Sequence, residues 1–161
     1  MEMGHWEMRK KDQEITDEDE LRATLREAHF VTMAMCMEDE PYLVTISHGY
    51  DTERNAIYFH CAHEGKKIDI LSANPVVWGE AVLDTGYDGP ECHQEYVTTQ
   101  FKGRVSFPEE EGEKRHGLTV LLEQFGADVD KFFAKDDTPE AVRKVNIGRV
   151  DIEYMSGKRS G

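Results

Sequence analysis

The sequence contains little positive charge, few cysteines and no long apolar run. Lys and Arg number 19 against 33 Asp and Glu, which gives a formal net charge of −14. A surface this acidic repels phosphate backbones and anionic lipids, so nucleic acid and membranes are poor candidate partners. The first eight residues, MEMGHWEM, contain no apolar core of a signal peptide, and no stretch is long enough to span a bilayer. We therefore expect a cytoplasmic protein.

The three cysteines, Cys36, Cys61 and Cys92, are an odd number and form no C-x-x-C motif. This pattern argues against a disulfide framework and against a zinc ribbon. The 60–63 segment (His-Cys-Ala-His) and Cys92-His93 contain metal-ligating residue types, but neighbouring strand residues point to opposite faces and the spacing matches no structural zinc pattern. We expect no metal site. Cysteine–histidine catalysis is conceivable, although small buried cysteines usually belong to the core.

Alternating apolar residues predict strands along much of the chain. In the first of them, Met33, Met35 and Met37 share one face and are expected to fill the core. We also expect Trp78 and Tyr96 to be core or interface aromatics. The predicted strands cover residues 30–37, 42–47, 56–60, 76–83, 96–107 and 146–154.

Four short helices are expected between these strands. Thr16 is predicted to cap the first, at about 17–28, and Thr138-Pro139 the last. The second begins at Gly65-Lys66-Lys67 and stops at Asn74-Pro75, and the third follows Pro108 and ends at Gly126. Six strands with short helices favour a small barrel over a sandwich. The expected organisation is an N-terminal extension (1–15), one mainly β (α+β) domain (16–158) and a tail (159–161).

The segment from His60 to Lys67 carries the strongest local signal for function. It follows a predicted strand and opens a helix whose free N–H groups and partial positive charge suit a phosphate. Gly65 allows close approach of the backbone, and Lys66 and Lys67 add full charges. The segment is neither a Walker A loop nor G-x-G-x-x-G, so it indicates a terminal phosphomonoester rather than ATP or a Rossmann dinucleotide. An ordinary solvated helix start would have the same spacing.

Residues 57–71 read IYFHCAHEGKKIDIL, and Asn74-Pro75 follows. This segment resembles the "YFHxAxxGxKxxxL…NP" segment of the pyridoxamine-phosphate-oxidase-related, FMN-binding split-barrel family, and more narrowly of its nitroimidazole-reductase branch. The resemblance covers about residues 9–158. Three further segments agree in order and spacing: Pro41–Asp51, Tyr96-Val97-Thr98 with Gly103-Arg104, and Val150–Lys158, which ends in Ser156-Gly157-Lys158.

The resemblance implies a six-stranded antiparallel split β-barrel with short flanking helices. It also implies a homodimer that holds FMN in each of two clefts between the subunits. By position, the residues that would line the flavin ring, serve its phosphate or offer it a polar group are Thr45, Ile46, Ser47, His48, Lys66, Lys67, Thr98 and Lys158. Lys158 would reach the site from its own or from the partner subunit.

Three positions depart from the family pattern. Val97 stands where an Arg is common, and Thr98 stands where Ser is usual, so the contacts to phosphate and ring differ in detail. His48 replaces a common Asn or aromatic residue on the side expected to face the substrate.

The resemblance leaves two classes of function open. One is an FMN-dependent reductase of small electron-poor molecules, nitroaromatic or nitroimidazole compounds first, with a role in nitroimidazole resistance. His60 falls at the active-site histidine of that branch and would orient the substrate or supply a proton. The other class is a non-catalytic flavin carrier or sensor, with a split barrel that binds a deazaflavin or haem as a close variant.

Overall fold

Antiparallel pairing joins strands from distant parts of the chain into one sheet. The computed structural model describes residues 7–135 and 138–160. Within them the strands are β1 (Glu14–Ile15), β2 (Phe30–Met37), β3 (Glu40–Ser47), β4 (Gly49–Asp51), β5 (Ala56–Cys61), β6 (Val76–Asp88), β7 (His93–Ser106) and β8 (Asn146–Ser160). Their order is β3-β2-β6-β7-β8-β5-β4, and β1 pairs with β8. The sheet curls without closing, which is the split-barrel fold.

Five helices in the described part cover the sheet, and a short 3-10 turn at Lys11–Gln13 precedes β1. None of them is long and apolar enough to cross a membrane. Their bounds are α1 (Glu18–Glu27), α2 (Lys66–Ala73), α3 (Glu111–Gln124), α4 (Val129–Phe133) and α5 (Pro139–Lys144).

Alternation along the strands gives the sheet a buried face and an open face. Met33 and Met35 are buried, and Met37 packs against the same cluster, which confirms the predicted core role of the methionines. The ring of Phe101 lies directly over Gly79, so that a Cβ at this glycine would collide with the ring. We call the other side the open face. It consists of the alternate residues of β2, β3 and β6–β8 that point away from this core.

The structure corrects several predicted boundaries. Asp17, not Thr16, caps α1, because its side chain accepts a hydrogen bond of 2.9 Å from the N–H of Asp19. The segment 84–93, which lies outside the predicted strands and is expected to be a loop, is mostly strand. In the structure β6 extends to Asp88 and β7 begins at His93, so the two form a long hairpin. The six predicted strands are present. The two further strands, β1 and β4, are only two and three residues long, too short for a periodic signal.

Among the helices, α2 and α5 begin where the sequence predicts them, whereas the sequence analysis predicts no helix at the position of α4. The helical spacing of Leu118, Leu121, Leu122 and Phe125 predicts an apolar face for α3, and the structure confirms it only in part. Leu121 is buried, but Phe125 is 48% exposed, and the buried side instead contains Lys114, Gly117 and Val120. The ammonium group of Lys114 is satisfied there by two main-chain carbonyls, so the helix buries a lysine that a hydrophobic pattern cannot show.

Candidate functional site

The turn between β5 and α2 leaves a helix N-terminus open. Gly65 caps α2 with φ +130° and ψ 169°, a conformation that side-chain-bearing residues rarely adopt, and no side chain caps the helix. The carbonyl of Gly65 accepts from Ile68 and Asp69. The main-chain N–H groups of Lys66 and Lys67 have no hydrogen-bond partner among residues 7–135 and 138–160, so they are available to an anion.

Two ammonium groups stand beside this open turn. Lys66 Nζ lies 4.6 Å from the centroid of the Tyr42 ring, and Lys67 Nζ lies 5.3 Å from that of Phe59. Neither lysine forms an ion pair within the described chain, although the protein carries a net charge of −14. The turn also bounds a cavity.

The cavity at the turn has a volume of ≈ 230 Å³, and a second cavity, of ≈ 380 Å³, lies on the open face. We call the first the loop cavity. Its lining includes Tyr42, Val44, Cys61, Gly65, Lys66 and Lys67.

The strand β3 forms one end of the sheet and contains Thr45, Ile46 and Ser47, with His48 directly after it; its residues Tyr42 and Val44 line the loop cavity. Pro41 is opposite Cys36 in the β2–β3 ladder. Because proline has no N–H group, we take this pair to be one of the non-hydrogen-bonded pairs of the ladder. By alternation, the N–H groups of Leu43, Thr45 and Ser47 point away from β2, toward the free edge of the sheet. These donors can serve a ligand that lies along β3.

The four predicted residues of this segment differ in accessibility. Thr45 is exposed on the open face, where its hydroxyl lies 3.0 Å from that of Thr32, and Ser47 is half-buried on the same face. Ile46 is buried in the core. His48 is fully buried, with Nε2 2.8 Å from the carbonyl oxygen of Leu25, so its side chain presents no surface to a ligand. Burial lowers the pKa of His48, and the bond to that carbonyl opposes the shift.

The second cavity, which we call the sheet cavity, lies on the open face over β6, β7 and β8. Its polar lining includes Glu80, Tyr96, Thr98, Gln100, Ser156 and Lys158. Lys158 Nζ donates a 2.6 Å hydrogen bond to the hydroxyl oxygen of Tyr96, and Thr98 Oγ1 donates one of 3.4 Å to the carbonyl of Lys158. The structure therefore brings Thr98 and Lys158 together. It also places Tyr96 in the same cavity, although the sequence predicts a core or interface aromatic at this position.

The loop cavity and the sheet cavity share no lining residue. The register places Thr45, Thr32, Glu80, Gln100 and Ser156 in one row across five strands of the open face. Four strand spacings separate the ends of that row, which corresponds to about 19 Å. Lys66 contacts the ring of Tyr42 on β3 and Lys67 that of Phe59 on β5, whereas Thr98 and Lys158 lie on β7 and β8.

The open face also has an exposed apolar surface. Its large side chains are Phe30 (57% exposed), Leu43 (64%), Trp78 (37%) and Val82 (51%), and the strand register places all four on the open face. An apolar surface of this kind, rimmed by polar residues, is typical of a protein–protein interface.

His60 lies near the loop cavity without lining it. It is exposed, and it pairs with Ile147 on the face of β5 that packs toward α3. The next residue, Cys61, points to the other side and lines the cavity. Burial raises the pKa of Cys61, and the nearby charge of Lys67 opposes that shift. The predicted catalytic role of His60 stays a prediction.

A charged network outside both cavities fastens α3 to the sheet. Glu113 accepts hydrogen bonds from Tyr58 (2.6 Å), Arg54 (2.6 Å) and Arg149 (3.1 Å). Burial alone would raise the pKa of Glu113, but these bonds outweigh it and lower the pKa, while burial and the bond to Glu113 raise the pKa of Tyr58 to about 12. Sequence spacing gives no signal for this network, because its members lie on different elements.

The same region contains a buried carboxylate. Asp51 Oδ2 lies 2.6 Å from Nε2 of His116, and its Oδ1 accepts from the main-chain N–H groups of Glu53 and Arg54. Burial would raise the pKa of Asp51, but the hydrogen bonds outweigh it and leave the pKa lowered. These contacts explain the residues structurally without a ligand. The described part of the chain holds no cluster of His, Cys, Asp and Glu suited to a metal ion.

Comparison with known proteins agrees with this architecture. The family model for pyridoxamine 5′-phosphate oxidase matches residues 17–159. The chain is similar to a candidate 5-nitroimidazole antibiotic resistance protein from Bacteroides thetaiotaomicron, with 26% identity, a TM-score of 0.75, and coverage of 92% of this chain and 87% of that one. No curated protein sequence matches the chain.

Two more distant structures share the fold. The FAD and heme binding protein from Mycobacterium smegmatis is 15% identical, with a TM-score of 0.76 and coverage of 92% of this chain and 73% of that one. The flavocytochrome Anf3 from Azotobacter vinelandii is 12% identical, with a TM-score of 0.76 and coverage of 95% and 72%. The family match spans nearly the whole chain, and the chain belongs to the pyridoxamine 5′-phosphate oxidase family of split-barrel proteins.

Proposed function

We propose that the protein is an FMN-dependent oxidoreductase that reduces small electron-poor molecules, nitroaromatic or nitroimidazole compounds among them, at a cleft shared by two subunits. The observation that carries this proposal is that the predicted cofactor-binding residues line two separate cavities. Lys66 and Lys67 line the loop cavity, and Thr98 and Lys158 line the sheet cavity. Family membership and the similarity to the candidate 5-nitroimidazole resistance protein support the choice of cofactor and substrate class.

The loop cavity has the chemistry to hold the phosphate of FMN. Lys66 and Lys67 offer two unpaired ammonium groups and two free N–H groups at the start of α2, and Gly65 leaves room beside them. A phosphate there would gain charge-assisted hydrogen bonds and the favourable end of the helix dipole. The N–H groups of Leu43, Thr45 and Ser47 lie along the free edge of β3, and donors in such a row suit the polar edge of a flavin ring.

A two-fold dimer would complete the site. If the open faces of two copies pack together, the exposed apolar residues of that face become buried, and the β3 edge of one subunit can approach β6–β8 of its partner. The loop cavity of one copy would then face the sheet cavity of the other, and two-fold symmetry would create two equivalent clefts. Burying apolar side chains such as Leu43 and Phe30 would contribute to association, at about 25 cal/mol per Å² of apolar area.

When bound, the flavin would supply the electron chemistry of the reaction. The chain would hold and orient the cofactor, exclude water, and provide proton donors near the ring. His60 stays a candidate for orienting the substrate or supplying a proton, from its exposed place at the end of β5.

The test begins with the visible absorption spectrum of the purified protein after titration with FMN. We expect a flavin doublet, one FMN per subunit, and a dimer by light scattering. The dithionite-reduced protein should then be reoxidised without oxygen by 2-methyl-5-nitroimidazole. A monomer with stoichiometric FMN would contradict the shared cleft. A Soret band would indicate haem, and bound FMN without turnover of any electron-poor acceptor would favour a carrier or sensor.

A further inference from the structure

The hydroxyl of Tyr96 has an unusual arrangement of hydrogen bonds. Its oxygen accepts the proton of Lys158 Nζ at 2.6 Å, so the proton of Tyr96 itself takes no part in that bond. No acceptor for that proton lies within the described part of the chain. The residue lines the sheet cavity, and its O–H group is therefore free to donate to a ligand there.

A second hydroxyl lies in the same cavity. Ser156 pairs with Gln100 on the open face, and its Oγ forms no hydrogen bond with residues 7–135 or 138–160. The acidic lining residue, Glu80, is already occupied, because its carboxylate accepts a 2.7 Å bond from Gln100. The cavity thus offers a cation and two unused O–H donors, which together suit an oxygen that carries or develops negative charge.

We propose that Tyr96, Lys158 and Ser156 form the subsite for the acceptor's oxygen, and that Tyr96 is the proton donor of the reduction. This inference rests on the proposed function, since it requires a reduced flavin beside the sheet cavity. It gives Lys158 a specific task and names a donor other than His60. The substrate class it selects is a small molecule whose electron-poor group ends in oxygen, such as a nitro group.

For a nitro compound the step balances as R–NO₂ + H⁻ + H⁺ → R–NO + H₂O. Both added hydrogens end in the water: one is the hydrogen of the hydride equivalent that a reduced flavin would supply, and the other is the proton of Tyr96, whose O–H bond breaks as the acceptor oxygen is protonated. One N–O bond of the acceptor breaks, and water leaves. The ammonium group of Lys158 stabilises the phenolate that remains, and solvent returns the proton to Tyr96.

The decisive variant is Tyr96→Phe, which removes the hydroxyl and keeps the ring. We expect FMN affinity and dimer mass to stay within about threefold of the wild type, and reoxidation by 2-methyl-5-nitroimidazole to slow about 10²–10⁴-fold, as for loss of a general acid. Reoxidation by ferricyanide, which takes single electrons and needs no proton, should keep the wild-type rate. Tyr87→Phe is the matched control, because it removes an exposed tyrosine hydroxyl on the β6–β7 hairpin.

A binding measurement tests the subsite without turnover. The affinity of the oxidised, FMN-loaded protein for 2-methyl-5-nitroimidazole should fall in Ser156→Ala and in Tyr96→Phe, but not in Tyr87→Phe. Wild-type nitro reduction in Tyr96→Phe would overturn the proposal. Equal slowing with both acceptors would also overturn it, because a general loss of flavin reactivity would explain both. Failure of the wild type to bind FMN would instead refute the proposed function.

Discussion

The phosphate-binding role of the loop cavity predicts a specific loss of affinity when its charges are removed. The change is Lys66→Gln with Lys67→Gln, which keeps much of each side chain and removes both ammonium groups. Neither group has an ion-pair partner in the described chain, and the only internal contact given up by each is that with an aromatic ring, Tyr42 for Lys66 and Phe59 for Lys67. Charge-assisted hydrogen bonds contribute about 1.5–3 kcal/mol each, which corresponds to about 10- to 150-fold in affinity per contact.

The assay is flavin titration of apoprotein with FMN and, in parallel, with riboflavin. Riboflavin lacks the phosphate and senses only the contacts of the ring and ribityl chain, so its affinity should change little. Lys144→Gln is the matched control, because it removes a lysine charge on α5 that is exposed and paired with Glu140 at 2.9 Å. Equal losses for FMN and riboflavin, or an equal loss in the control, would refute the assignment of the phosphate to this turn.

Three further predictions concern the backbone, the charged network and His60. Gly65→Ala should cost about 1–3 kcal/mol in strain and weaken FMN binding, whereas Gly126→Ala, also at positive φ, should lower only stability; urea unfolding and FMN titration separate the two. The pKa values of Asp51 and Glu113 are lowered in the folded state, so both carboxylates stabilise the fold above about pH 4, and this stabilisation is lost as pH falls through the lowered values. Asp51→Asn should therefore make the free energy of unfolding, measured with urea, less dependent on pH in the acid range. His60→Ala should slow nitroimidazole reduction per bound flavin, because the histidine would no longer orient the substrate, and an unchanged rate would remove it from the mechanism.

Much of the fold follows from patterns that a sequence displays directly. The alternation of β2 puts its methionines in the core, and Gly65 and Asn74-Pro75 bound α2 as predicted. Gly86, Gly89 and Pro90 predict a loop where the β6–β7 hairpin lies, but the backbone pairing of the two strands continues through most of that segment. In this hairpin the pairing of the two strands outweighs the local preference of glycine and proline for turns.

The candidate site was only partly predictable for a similar reason. Tyr96 shares a face with Thr98 by strand alternation, so period-two spacing could have placed it in the cavity, but its contact with Lys158 depends on the β7–β8 register. The burial of His48 depends on the packing of α1, whose Leu25 carbonyl it contacts. Such contacts join residues far apart in the chain, and no local pattern encodes them.

The most direct test of the shared cleft is complementation between two defective subunits. One carries Lys66→Glu with Lys67→Glu, which damages the loop cavity, and the other carries Lys158→Met, which damages the sheet cavity. If each cleft joins the loop cavity of one subunit to the sheet cavity of its partner, a mixed dimer contains one intact and one doubly damaged cleft. Random mixing of equal amounts should then restore about a quarter of the wild-type nitroimidazole reduction. No recovery in mixtures shown by mass to contain mixed dimers would contradict the account.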